Sequence, residues 1–313
     1  MQRHPRPPLY MSSPSTFVGE TEHCVDDLPF DDELRAALRE VGVTRYRTSE
    51  LGCAEMARRA LPATRGGGAV SHLLLLSSRD DWPGDIEPFS SGRFAQDNGL
   101  GEVEVWGIGL AQCAGLHSAI QLAGSLVDSG RAQSVMVSCV EAARSHTDRL
   151  VFAGASVHSD AAASFIVSPE PRGPVAFRIL SSESTISPAL SQIDPTLNVV
   201  RYMAGFSDGC LRAARACAQA ASMSLGDFQW LILNNYNNRL NRGVAELLGF
   251  TWEKVGHAMI ATERLGHALS ADNLINLESL ESSGRLAAGD TILLLATGPN
   301  RWGATALEVV ANP

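Results

Sequence analysis

Apolar positions along the chain fall into two kinds of run. Short unbroken runs, such as Leu73 to Leu76 within VSHLLLLSS, have the length and polar borders of buried strands. SELGCAEMARRAL from Ser49 instead spaces its apolar residues by three and four behind a Ser cap, as an amphipathic helix does. The pattern predicts a first strand around Leu9–Val18, then a polar loop and short helix in DDLPFDDELRAALREVG. The helix and strand of residues 49–78 come next, followed by a strand in GEVEVWGIGL and a helix in AQCAGLHSAIQLAGSLVDSG that Gly130 ends. SVMVSCVEA and AAASFIVS supply further strands, and a linker lies around PEPRGP. Helices alternating with buried strands predict an α/β fold.

The second half of the chain repeats the first. Ser125-Leu126-Val127-Asp128-Ser129-Gly130-Arg131 precedes the strand SVMVSC, and Ser279-Leu280-Glu281-Ser282-Ser283-Gly284-Arg285 precedes TILLLA, with five of the seven positions identical. Upstream, GCLRAARACAQA and FQWLILNN echo the helix and strand of residues 49–78. Two related halves are expected, residues 1–170 and 171–313. The repeat offset of 154 residues carries Cys113 onto His267. Both are placed near the start of equivalent helices, and a pseudo-twofold packing of the halves would bring those helix starts to one centre.

Composition narrows the classes. At 45% hydrophobic and 19% charged, 313 residues suit an ordinary globular protein with about two core-forming units. No apolar run approaches the roughly 18 residues of a membrane span, and the start MQRHPRPPLYMSS lacks a signal-peptide block, so a cytoplasmic protein without a membrane role is expected. A net charge of −9 argues against a nucleic-acid partner.

A helix N-terminus offers unpaired N–H groups and a partial positive charge that favour a thiolate. Cys113 is therefore a candidate nucleophile, with small neighbours Ala111, Ala114 and Gly115 leaving room for an acyl group. The competing reading is a small buried hydrophobe, which is assigned to Cys53, Cys210 and Cys217 in helices, Cys139 in a strand and Cys24 in a loop. No cysteine pair has metal-ligand spacing, so no metal is expected. Asp272 follows His267 by five residues, on the same helix by this reading, either orienting the imidazole or serving as a solvated or capping carboxylate. His117, one turn beyond Cys113, is expected in the core or an interface, and His158 is placed to line a pocket. His4, His23, His72, His146 and His257 have no supporting context.

QCAGLHSAIQLAGSLVDSG resembles the active-site Cys helix of ketoacyl-ACP synthase III and its thiolase-fold relatives. Further motifs agree in order: SDAAASFIV is similar to GDGAGA, WLILNNYNNR to WLVPHQANLR, RLGHALSADN to RHGNTSAAS, and LLLATGPNRWGATAL to the Gly-rich closing strand. The resemblance implies a five-layered αβαβα thiolase fold, a homodimer, no permanently bound cofactor, and an acyl donor that is a phosphopantetheine thioester of an acyl carrier protein or CoA. The family's triad runs Cys–His–Asn, whereas here Asn234 stands at the His position and His267 at the Asn position. Relatives with this exchange resemble acyltransferases that esterify a small-molecule acceptor, so acyl transfer to a hydroxyl or amine is expected. Decarboxylative condensation with a malonyl thioester and a non-catalytic partner subunit are the alternatives. His267 is then the base, held neutral by the helix N-terminus, with Asn234 a hydrogen-bond donor. The Trp that clamps the CoA adenine in the family has no counterpart before GVTRYR, which favours a carrier-bound donor, with Arg149, Arg239 and Arg242 as candidate docking residues.

Overall fold

The computed structural model describes residues 7–62, 70–78, 88–151, 154–255 and 264–310; His4 and His257 lie outside the described residues. In the first half the strands are β1 (Leu9–Val18), β2 (Thr21–Cys24), β3 (Arg45–Thr48), β4 (His72–Leu76), β5 (Glu104–Ile108), β6 (Val135–Glu141), β7 (Leu150–Val151), β8 (Ser156–Val157) and β9 (Ala161–Ser168). Its helices are α1 (Asp32–Glu40), α2 (Cys53–Arg59), α3 (Pro88–Asp97) and α4 (Gly115–Asp128). The second half has β10 (Ala176–Ile186), α5 (Val199–Ala220), β11 (Trp230–Ile232), α6 (Asn238–Leu248), α7 (Asp272–Ser282), β12 (Thr291–Thr297) and β13 (Arg301–Val309).

Pairing shows the repeat that the sequence suggested. In the first half β4 runs parallel to β6, β6 antiparallel to β9, and β9 antiparallel to β1. In the second, β11 runs parallel to β12, β12 antiparallel to β13, and β13 antiparallel to β10. Because β1 also pairs with β10, the strands of both halves join in one nine-stranded order, β11-β12-β13-β10-β1-β9-β6-β4-β5. Strands β2, β3, β7, β8 and β10 and helices α3 and α6 are additions to the predicted elements, and Cys24 ends β2 where a loop was expected.

Side-chain alternation builds the layers. Along β4, Leu74 and Leu76 face the central cluster with Leu116 and Ile120 of α4 and Leu274 and Leu277 of α7. Leu73 and Leu75 face outward onto Met56 of α2 and Phe94 of α3. Along β12, Ile292 and Leu294 face the centre while Leu293 and Leu295 meet Phe206 of α5 and Val244 of α6. The result is the five-layered αβαβα thiolase fold. Helices α4 and α7 are the buried middle layer, and each gives way to a left-handed glycine, Gly130 and Gly284. Among the described residues no helix is long and apolar enough to cross a membrane.

Candidate active site

Left-handed residues shape the turns that carry Cys113 and His267. Gln112 (φ 52°) and Leu269 (φ 51°) are the left-handed first residues of equivalent 3-10 segments that lead into α4 and α7, which places Cys113 opposite Ser270, while His267 comes three residues earlier, directly after the left-handed Gly266 (φ 67°). Gly266 also has no room for a side chain, since a Cβ there would lie 2.5 Å from the Val157 carbonyl oxygen. The His267 N–H donates to Val157 O at 2.8 Å and its carbonyl accepts from Ser159 N at 2.9 Å, fixing the residue to the connection between β8 and β9. His158 pairs with it across this bridge and is buried.

These turns bring Cys113 Sγ to 3.4 Å from His267 Nε2, across 154 residues of sequence. On the other edge of the ring, Nδ1 meets Asp272 Oδ2 in a short hydrogen bond. All three side chains are buried. Asp272 also accepts from the backbone N–H groups of Asn235 and Ala268, both at 2.7 Å, and from the Asn235 amide at 3.1 Å. These donors hold the carboxylate against the imidazole. Asp272 is the first residue of α7, while His267 lies on the preceding turn, so the two do not share a helix as expected from sequence.

Electrostatics corrects the expectation of a ring kept neutral. Burial lowers the His267 pKa, but the adjacent Asp272 carboxylate and Cys113 raise it further, to about 10. A contacting negative charge outweighs a helix-end partial charge worth about 0.3–1 kcal/mol.

Asn234 is corrected too. Its Oδ1 accepts from Thr297 N at 2.7 Å, and its Nδ2 faces Leu269 O at 3.3 Å and Asp272 Oδ2 at 3.5 Å. The amide is spent on holding the site together, leaving no donor aimed at a substrate carbonyl. Arg149 is likewise no surface docking residue. Its guanidinium is buried, bonded to both Asp160 carboxylate oxygens at 2.9 Å and to His158 O at 3.0 Å. Arg239 is exposed at the rim of a cavity of about 600 Å³ bounded by α5, α6 and Gly298–Pro299, and Arg242 stacks on Trp252 at 4.2 Å. His117 is a core residue, hydrogen-bonded to Thr305 Oγ1 at 2.7 Å and Asn273 Oδ1 at 3.2 Å, and burial pushes its pKa down to about 3.

Two residues escaped sequence reading. Tyr236 packs its ring on His267 with centroids 4.6 Å apart, and its hydroxyl donates to Thr297 O. Its signal was a bulky aromatic where WLVPHQANLR has Ala. Glu141, at the buried end of β6, accepts from Ser78 N at 2.9 Å, Ser78 Oγ at 2.7 Å and the Ser270 hydroxyl, clamping the turn between His267 and Asp272. Burial raises its pKa. A lone acid closing the apolar run SVMVSCVEA was the available signal.

Residues 110–186 match the family 3-oxoacyl-[acyl-carrier-protein (ACP)] synthase III, and residues 218–309 match the C-terminal part of the same family. A curated β-ketoacyl-[acyl-carrier-protein] synthase III of Rhizobium meliloti (strain 1021) is 30% identical over 94 residues, which is 30% of this chain and 28% of that protein. Among solved structures, ChlB3, described as an acyltransferase, is similar with a TM-score of 0.81 at 19% identity, over 97% of this chain and 98% of that one. The synthase III of Pseudomonas aeruginosa PAO1 gives 0.75 at 19% identity over 98% and 99% of the chains. The priming β-ketosynthase of the R1128 polyketide pathway gives 0.76 at 18% over 100% and 99%. With both family parts matched in order over more than half its length and the whole fold shared, the chain belongs to the ketoacyl-ACP synthase III-like family of the thiolase superfamily.

Proposed function

We propose that the protein is an acyltransferase, working through an acyl-enzyme on Cys113 and passing the acyl group to a hydroxyl or amine of a small-molecule acceptor. The observation that carries this reading is the relay Cys113–His267–Asp272, with Asn234 tied into the backbone. It is the arrangement of a triad in which a carboxylate orients a histidine and the histidine moves protons for a nucleophile. A condensing site needs donors for the carbonyl of a second thioester, and the Asn234 amide has none to give.

With the ring pKa raised to about 10, His267 Nε2 already holds the proton of the pair when, in the first half-reaction, Sγ bonds to the thioester carbonyl carbon. The tetrahedral intermediate collapses, the donor thiolate leaves, and it takes the proton from Nε2. In the second, the now neutral Nε2 accepts the proton of the acceptor O–H or N–H as that atom bonds to the acyl carbon, and Cys113 Sγ departs as the leaving group beside the imidazolium so formed. Asp272 keeps the Nδ1 proton facing itself, so that Nε2 faces the sulfur. In this reading backbone N–H groups of the turn that carries Cys113 supply the oxyanion donors.

The donor in this reading is a carrier-bound phosphopantetheine thioester. With Arg149 buried against Asp160, that arginine has no guanidinium free for a CoA adenine. The cavity lining carries Arg239 together with the exposed Val199, Met203 and Leu247, a surface suited to an acidic protein with an apolar centre. The first unit (1–170) contributes the nucleophile and the second (171–313) the base, in a homodimer. Incubation with a carboxyl-labelled malonyl thioester tests the chemistry. Acyl transfer predicts that the label stays in the product; release of labelled carbon dioxide with a new carbon–carbon bond would establish condensation instead.

A further inference from the structure

We infer that Tyr236 is the wall that limits the size of the group able to stand on the Cys113 sulfur. Tyr236 lines the cavity with Gly298 and Pro299, whereas Cys113 is not among the described residues that line it. Tyr236 also packs on the His267 ring at 4.6 Å. Its ring therefore stands between the cavity and the buried pair of Cys113 and His267, and any group travelling from the cavity to Sγ passes beside it.

This wall is rigid for a local reason. The Tyr236 hydroxyl donates to the Thr297 carbonyl while the Thr297 N–H donates to Asn234 Oδ1 at 2.7 Å, so both polar groups of one residue at the end of β12 are bonded to the segment 234–236. A buried side chain stapled in this way resists the rotamer change that would open the path. Burial, reinforced by the charge of nearby Cys113, also raises the hydroxyl pKa well above 10, so the phenol stays neutral and does not compete with His267 as a base. What remains is shape: Tyr236 selects compact groups and excludes bulky ones. Its consequence for acyl choice rests on the acyl-transfer reading, but the wall itself does not.

Size selection is therefore tested by alkylation as well as by acylation. Rates at Cys113 are measured by peptide mapping with iodoacetamide and with N-phenylmaleimide, in wild type, Tyr236→Phe and Tyr236→Ala. The bulky-to-small rate ratio should rise by at least about 10-fold in Tyr236→Ala, as expected when a close-fitting apolar contact is removed. It should rise much less in Tyr236→Phe, which keeps the ring and loses only the hydroxyl bond to Thr297. Tyr236→Leu serves if the alanine variant does not fold, with a smaller rise in the same direction. An unchanged ratio in a folded Ala or Leu variant overturns the inference. Absence of any acyl adduct from thioester donors on wild type, alongside a shifted alkylation ratio, leaves the wall standing and removes the acyl-transfer reading.

Discussion

Replacing Asp272 with Asn removes one charge and almost no volume, and its largest effect falls on the proton relay. The carboxylate accepts the Nδ1 proton of His267 and is held by the N–H groups of Asn235 and Ala268. An amide in its place can turn its NH₂ toward Nδ1, which moves the ring proton to Nε2, the nitrogen 3.4 Å from Cys113 Sγ. That tautomer cannot take the thiol proton. The equivalent change in a serine-protease triad costs about 10⁴-fold, or about 5.4 kcal/mol of transition-state stabilisation, and a similar loss is expected here. The titration of the ring moves as well. With the carboxylate present the pKa is raised to about 10; without it the lowering by burial is opposed by Cys113 alone and the pKa falls. Single-turnover acylation of Cys113, followed by mass spectrometry, gives the rate, and ¹⁵N-histidine NMR gives the titration. A folded Asp272→Asn variant with near-normal acylation and an unmoved His267 titration would refute the reasoning.

Arg149→Ala should destabilise the fold by about 3–5 kcal/mol in chemical denaturation, because Asp160 is left as an unpaired buried charge. Arg239→Glu, at an exposed position, should leave the melting temperature unchanged and weaken kcat/KM for carrier-bound donors more than for short synthetic thioesters. His117 is neutral in the fold with a pKa of about 3, so its contribution to stability is intact above about pH 6.5 and declines as pH falls toward 3. Melting temperatures across that window should therefore drop more steeply for wild type than for His117→Asn. Gly209→Ala drives a Cβ to within 2.2 Å of the fully buried Trp302 ring, and equilibrium unfolding should show a loss of about 1–3 kcal/mol or more.

Most of the layered architecture was legible because its strands are short apolar runs and its middle helices end in matched Ser-Gly-Arg segments. The expected meeting of Cys113 and His267 is found, but not because they are equivalent: the two helix starts, Gly115 and Asp272, are offset by 157 residues, which pairs Cys113 with Ser270 and leaves His267 on the turn before it. The expected helix N-terminus carries less weight than a carboxylate that folding brings into contact, and periodicity has no means of revealing that contact. Arg149 and Asn234 were misread for the same reason. A guanidinium or an amide in a loop looks available until the partner is known, and here the partners, Asp160 and the Thr297 backbone, lie 11 and 63 residues away. Strand β10 was missed because FRILSSESTI mixes small polar residues on a half-exposed surface, where alternation is weak.

The decisive measurement is intact-mass spectrometry of the protein after incubation with an acylated carrier protein, followed by addition of an amine or alcohol acceptor. Acyl transfer through the relay predicts one acyl adduct on wild type, mapped to Cys113, absent in Cys113→Ala, and discharged by the acceptor to give an amide or ester. An adduct that persists in Cys113→Ala, or acylated acceptor formed at the wild-type rate by that variant, would contradict it.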